Sequence, residues 1–216
     1  MSILTGGASS ATADELSVDE QQRSWYLENG VSPDVADELI ADFNAGDLPD
    51  SMTGVEPVSS VTDDKDGWIT TRNEFPDGSI SVSRLETPEA AAAAPGDVAA
   101  RSVGSCTSTL GGSGFVNYYD CAVTGSNGAY LDVEFRADYT RVSNGAGIIN
   151  RVASPYSYAI GGTATTPELR ITRANGTVSN PARATATSQY SSAASSFTAV
   201  LTLNVTGSQA WSSQNF

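Results

Sequence analysis

The sequence predicts a two-part chain: a small acidic α+β module (helical hairpin plus β-meander) followed by an all-β sandwich or jelly-roll-like domain. Three observations carry this. Residues 1–100 hold 20 acidic and 4 basic side chains, whereas residues 101–216 hold 5 and 7. Helix caps and helical apolar spacing appear in the first fifty residues. After Gly104, apolar and polar residues alternate in one short segment after another, with turn residues between. The change of material falls at 87–103, where Pro88, the alanines Ala90 to Ala94, Pro95 and Gly96 read as a linker. The expected division is a flexible segment 1–14, an acidic module 15–86, a linker 87–103 and a disulfide-containing β domain 104–216.

Taken in order, Ser17-Val18-Asp19-Glu20 is a capping box, and Asn29-Gly30 stops the helix it begins. Ser32 and Pro33 open a second helix, whose apolar face is Val35, Leu39, Ile40 and Phe43 and whose stop is Gly46. This outline resembles a DNA-reading helix-turn-helix, but the second helix carries Asp34, Asp37, Glu38 and Asp42 and no cation, so phosphate would repel it. Strands are expected at Val58 to Val61, Trp68 to Phe75 and Ile80 to Leu85, with Trp25, Trp68 and Phe75 as large core members. Between the first two, Asp63, Asp64 and Asp66 precede Gly67. They are weak calcium candidates, because Thr62 and Asn73 stand where a calcium loop requires Asp and Glu. A solvated turn explains them better.

In the second half, Leu131, Val133, Phe135, Ala137 and Tyr139 share one strand face, with Asp132, Glu134, Arg136 and Asp138 on the other. Phe197 to Val205 repeats the alternation. Asn175-Gly176, between Leu169–Arg173 and Thr177-Val178, signals a two-residue hairpin. Cys106 and Cys121 are symmetric about Ser113-Gly114, so a two-residue turn there sets them opposite each other as a disulfide.

The chemistry is narrowed by absence. The chain has no histidine and a single lysine, Lys65. That removes histidine triads, histidine metal sites and most lysine nucleophiles. A net charge of −14 and a pI of about 4.1 argue against nucleic acid and membrane surfaces as partners. No cofactor is implied. A cysteine pair in a Ser/Thr/Gly-rich chain points to a secreted, extracellular protein.

Two constellations are candidates for function. The carboxylates Asp132, Glu134 and Asp138 have the spacing of a glycosidase pair. Their alternation with core residues instead predicts a solvated face with ordinary acidities, unsuited to a general acid. The aromatic residues Tyr118, Tyr130, Tyr156, Tyr158 and Trp211 are candidates for stacking on a ligand; Tyr130 is expected on the exposed face of Asp132. The reading that follows is a non-catalytic binding or assembly protein of the cell exterior, with a carbohydrate or an extracellular protein as partner. The first alternative is a secreted hydrolase of the carboxylate-pair type with an acidic pro-region. The second is a self-associating subunit of an extracellular polymer, built on strand edges.

Overall fold

The computed structural model describes residues 16–88, 106–111, 114–143, 145–177 and 179–216. The expected segment 1–14, most of the expected linker and the Ser113 side of the expected Ser113-Gly114 turn lie outside them.

Helix α1 (Val18–Glu28) begins at the capping box: the Ser17 N–H donates to Glu20 Oε2 at 2.9 Å, and the Glu20 N–H donates back to Ser17 Oγ. Gly30 leaves it at φ +83°, a left-handed conformation glycine adopts without a Cβ clash. Helix α2 (Pro33–Ala45) has proline in its first turn and ends at left-handed Gly46. Ser32 occupies its N-cap position, yet its side chain makes no capping bond. Gln22 and Tyr26 of α1, and Ala36, Leu39, Ile40 and Phe43 of α2, are buried.

Seven strands build the larger sheet: β1 (Ser59–Lys65), β2 (Trp68–Glu74), β3 (Ile80–Glu86), β4 (Thr107–Gly111), β5 (Phe115–Asn127), β6 (Leu131–Val142) and β7 (Gly147–Ala159). Their order is β1-β2-β3-β5-β6-β7, with β4 also on β5. The smaller sheet holds β8 (Thr163–Ala164), β9 (Glu168–Arg173), β10 (Ala182–Ser191), β11 (Ser196–Val205) and β12 (Ala210–Gln214), in the order β12-β11-β10, with β8 and β9 both on β10. Nearly all neighbours in space are neighbours in sequence. Two antiparallel meanders therefore face each other as a sandwich, without the interleaved strand order of a jelly roll.

The inner faces follow the alternation. Val123, Val133, Phe135 and Ala137 meet Ala184, Ala186, Leu201 and Leu203, all buried. Asn175-Gly176 does not form the expected hairpin turn. Asn175 bridges to Ile148 and the Gly176 N–H donates to the Gly147 carbonyl, so the dipeptide ties the corner of one sheet to the other.

The helical hairpin caps one end of this sandwich. Val35 packs on Gly78 in the β2–β3 turn, Trp25 on Gly128 in the β5–β6 turn, and Val18 on Gly161 beyond β7. A larger residue at Gly128 would collide with the indole of Trp25. Beneath the cap, Phe43 stacks on Tyr130 with ring centroids 3.9 Å apart, and Tyr190 stacks on Phe197 at 4.9 Å. Helices and both sheets share this one core.

The sheet also runs straight across the compositional boundary. Val82 to Leu85 of β3 pair with Ser126 to Val123, and Thr107 to Gly111 of β4 pair with Tyr119 to Phe115. Thus β3 and β4 lie end to end along one edge of β5, and the end of β3 meets the start of β4 at one point of the sheet. Glu86 closes the gap. Its two carboxylate oxygens accept the N–H groups of Cys106 at 3.0 Å and Ala122 at 2.9 Å.

The disulfide Cys106–Cys121 sits beside that gap. Its register differs from the expected one. Gly111 pairs with Phe115, one residue away from the expected register, and continuing that pairing would set Cys106 against Asp120. A β-bulge at Asp120, with φ +54°, takes up the extra residue and restores Cys121 to the position opposite Cys106.

Candidate functional site

The outer face of the larger sheet, turned away from the smaller one, joins two constellations that sequence reading treats separately. Asp132 pairs with Tyr158 and Glu134 with Tyr156 across β6 and β7. Cross-strand partners share a face with Cβ atoms ~5 Å apart. Both rings stand in solvent, Tyr156 at 56% exposure and Tyr158 at 49%. The rows continue onto the next strands: Tyr158, Asp132, Ser126 and Val82 in one, Tyr156, Glu134, Thr124 and Arg84 in the other. A second bulge, at Ser154 with φ +53°, sets the phase that brings both tyrosines to this face.

The carboxylates are not equivalent. Asp132 is half-buried and accepts the Ser126 hydroxyl at 2.5 Å. Burial pushes its carboxyl above the ordinary aspartate value, against the Ser126 hydroxyl and the positive charge of Arg84, which favour the carboxylate. The expectation of an ordinary, fully solvated Asp132 is therefore corrected: neighbouring strands and Tyr158 shield it. Asp138 belongs to a different arrangement. Burial by itself would raise its carboxyl, but Arg151 Nε at 2.7 Å and the Asp120 N–H at 2.8 Å outweigh it and hold the group below its usual range. Arg136 meets Glu86 at 3.4 Å and Asp120 at 3.7 Å. These pairs brace the bulge and the β3–β4 gap.

At the foot of the face, α1 and the sheet enclose a pocket of about 210 Å³. Trp25, Glu28 and Asn29 line it from the helix, Val82 and Arg84 from β3, and Thr124 and Ser126 from β5. Sequence reading missed this pocket; Trp25, expected in the core, is half-buried and packs against the core while also lining the pocket. The amphipathic pattern of α1 shows that Trp25 is apolar, not that its helix ends above a polar strand row.

Comparison with known protein families, curated proteins and solved structures finds no match for this chain.

The other aromatic candidates are dispersed. Tyr130 is fully buried, not exposed: it precedes β6 at the turn, where the strand alternation no longer applies, and its ring fills the space under α2. Tyr118 is half-buried and stacks on Tyr139 at 4.6 Å, with the Arg141 guanidinium above it. Trp211 pairs with Asn204 in the smaller sheet, away from this face. The calcium candidates also separate. Asp63 and Asp64 are consecutive on exposed β1 and point to opposite faces, while Asp66 and Gly67, both at positive φ, form a two-residue hairpin turn. Among the described residues no group of three acidic or sulfur side chains is placed to hold a metal ion, and no helix is long and apolar enough to cross a membrane.

Proposed function

We propose that this is a secreted binding protein whose ligand is a carbohydrate, held on the outer face of the larger sheet. The observation that carries the reading is the two-by-two block of Tyr156, Tyr158, Asp132 and Glu134. Exposed rings stack on the apolar faces of sugar rings, and adjacent carboxylates accept from sugar hydroxyls. The Cys106–Cys121 disulfide supports export to an oxidising compartment. The test is a glycan array followed by calorimetry. Removing both rings, as Tyr156→Ala with Tyr158→Ala, is expected to weaken binding roughly 5- to 150-fold, from about 0.5–1.5 kcal/mol per stacked ring. Its melting temperature should stay unchanged, because both side chains are exposed. Undiminished affinity in that variant refutes the placement of the site.

One observation favours a second reading, a carboxylate-pair hydrolase. Asp132 is shielded and its acidity weakened, as a general acid requires, and Glu134 lies two residues along the same strand face. Glycan hydrolysis lost in both Asp132→Asn and Glu134→Gln would establish it.

A further inference from the structure

We infer that the pocket between α1 and the larger sheet is a subsite for one ring of an uncharged saccharide, continuing the chain that crosses Tyr156 and Tyr158. This inference rests on the carbohydrate reading above and specifies its ligand class. Three features of the pocket carry it. The first is position. Ser126 and Thr124 line the pocket and also stand in the rows that end at Tyr158 and Tyr156. Two strand spacings, roughly 10 Å, separate the pocket strand β5 from the tyrosine strand β7. A ligand running perpendicular to the strands meets both without leaving the face.

The second is size. At about 210 Å³ the pocket falls below the range of roughly 300–1,000 Å³ that takes whole drug-sized ligands. It accommodates a single ring, with the remainder of a chain lying outside over the sheet.

The third is the pairing of chemical types. Arg84 supplies donors only, Glu28 acceptors only, Ser126 an acceptor only because its proton goes to Asp132, and Asn29 and Thr124 supply both. A hydroxyl donates and accepts at once, so a polyol satisfies all of them together, and Trp25 offers an apolar surface for the ring itself. The side chains of Arg84 and Thr124 make no hydrogen bond or ion pair with another described residue, so they are available to a ligand. Charge then selects against ions. An anionic sugar would gain Arg84 but face Glu28, Asp132 and a chain of net charge −14. A cationic sugar would gain the acids but set its charge against Arg84, the one guanidinium lining the pocket.

The protein carries tryptophans at 25, 68 and 211. In the full chain bearing Trp68→Phe and Trp211→Phe, Trp25 alone reports on the pocket. Neutral xylo-, cello- and manno-oligosaccharides, an anionic oligogalacturonate and a cationic glucosamine oligomer are titrated by tryptophan emission and, on the unmodified protein, by calorimetry. The expected result is saturable change of Trp25 emission with a neutral oligosaccharide, at an affinity that hardly varies with salt. Arg84→Gln, at an exposed position, should keep the melting temperature and lose affinity ten- to hundredfold. Calorimetric binding of a neutral oligosaccharide that leaves Trp25 emission and the Arg84→Gln affinity unchanged overturns the pocket while leaving the tyrosine face standing. Binding confined to a charged oligomer overturns the uncharged class. Absence of binding by any saccharide removes the carbohydrate reading and the subsite with it.

Discussion

Truncating Phe43 to alanine tests whether the helical cap and the sandwich are one cooperative unit. Phe43 is 2% exposed, stacks at 3.9 Å on Tyr130 and meets the edge of Tyr190 at 6.1 Å. The hole left by Phe43→Ala would be walled by α2, by the start of β6 through Tyr130 and by β10 through Tyr190. Such a cavity touches both sheets and cannot close by movement of the helix alone. Removing a buried phenylalanine costs about 3–5 kcal/mol, the lost transfer energy plus the unfilled space. At roughly 2–4 °C per kcal/mol for a chain of this length, the melting point should fall by about 6–20 °C. Phe43→Leu, which keeps most of the volume, should cost much less. The assay is thermal unfolding followed at the helical and strand bands of circular dichroism and by tryptophan emission. One coincident transition is expected for parent and variant alike, displaced in the variant. A variant whose helical signal melts early while its strand signal keeps the parental midpoint would refute the shared core. That outcome would mean that the charge boundary, not the packing, divides the molecule.

Three further outcomes follow from particular contacts. Replacing both cysteines with serine should remove about 3 kcal/mol, the loop-closure contribution of a crosslink spanning 15 residues, and full thiol titration of the unreduced parent would contradict the bond. Asp132→Asn should leave the melting point near neutral pH unchanged or raise it. The folded-state pKa of Asp132 is raised by burial, so the fold favours the neutral form and is penalised once pH rises above the ordinary aspartate value; the variant's advantage should therefore vanish at pH below about 4, and a clear loss of stability near neutral pH would refute the burial cost. Replacing residues 89–105 by about six Gly/Ser residues should preserve fold and disulfide and add about 1 kcal/mol by shortening the closed loop, since β3 and β4 end beside each other on β5; failure of that protein to fold would show that the ends are not held by the sheet.

Local rules settle whatever depends on neighbours in the chain. The Ser17–Glu20 cap, the glycine stops at Gly30 and Gly46, and the inward row Leu131, Val133, Phe135, Ala137 and Tyr139 are legible because a helix turn or a strand pleat repeats every few residues. The disulfide partners were legible too, since a hairpin brings nearby residues together, although its register depended on a bulge that no local signal announces. Composition suggested a division of the chain, but hydrogen bonding between β3 and β5 ignores composition: backbone N–H and C=O groups are alike in acidic and neutral segments. The burial of Tyr130 under α2 and the meeting of Trp25 with Arg84 and Thr124 join residues from about 60 to 100 positions apart, and the surroundings of Asp132 draw on residues up to 48 positions away. A period of two or of 3.6 residues carries no information over that span. Those contacts exist only once two meanders have closed on one core and a helical hairpin has sealed its end.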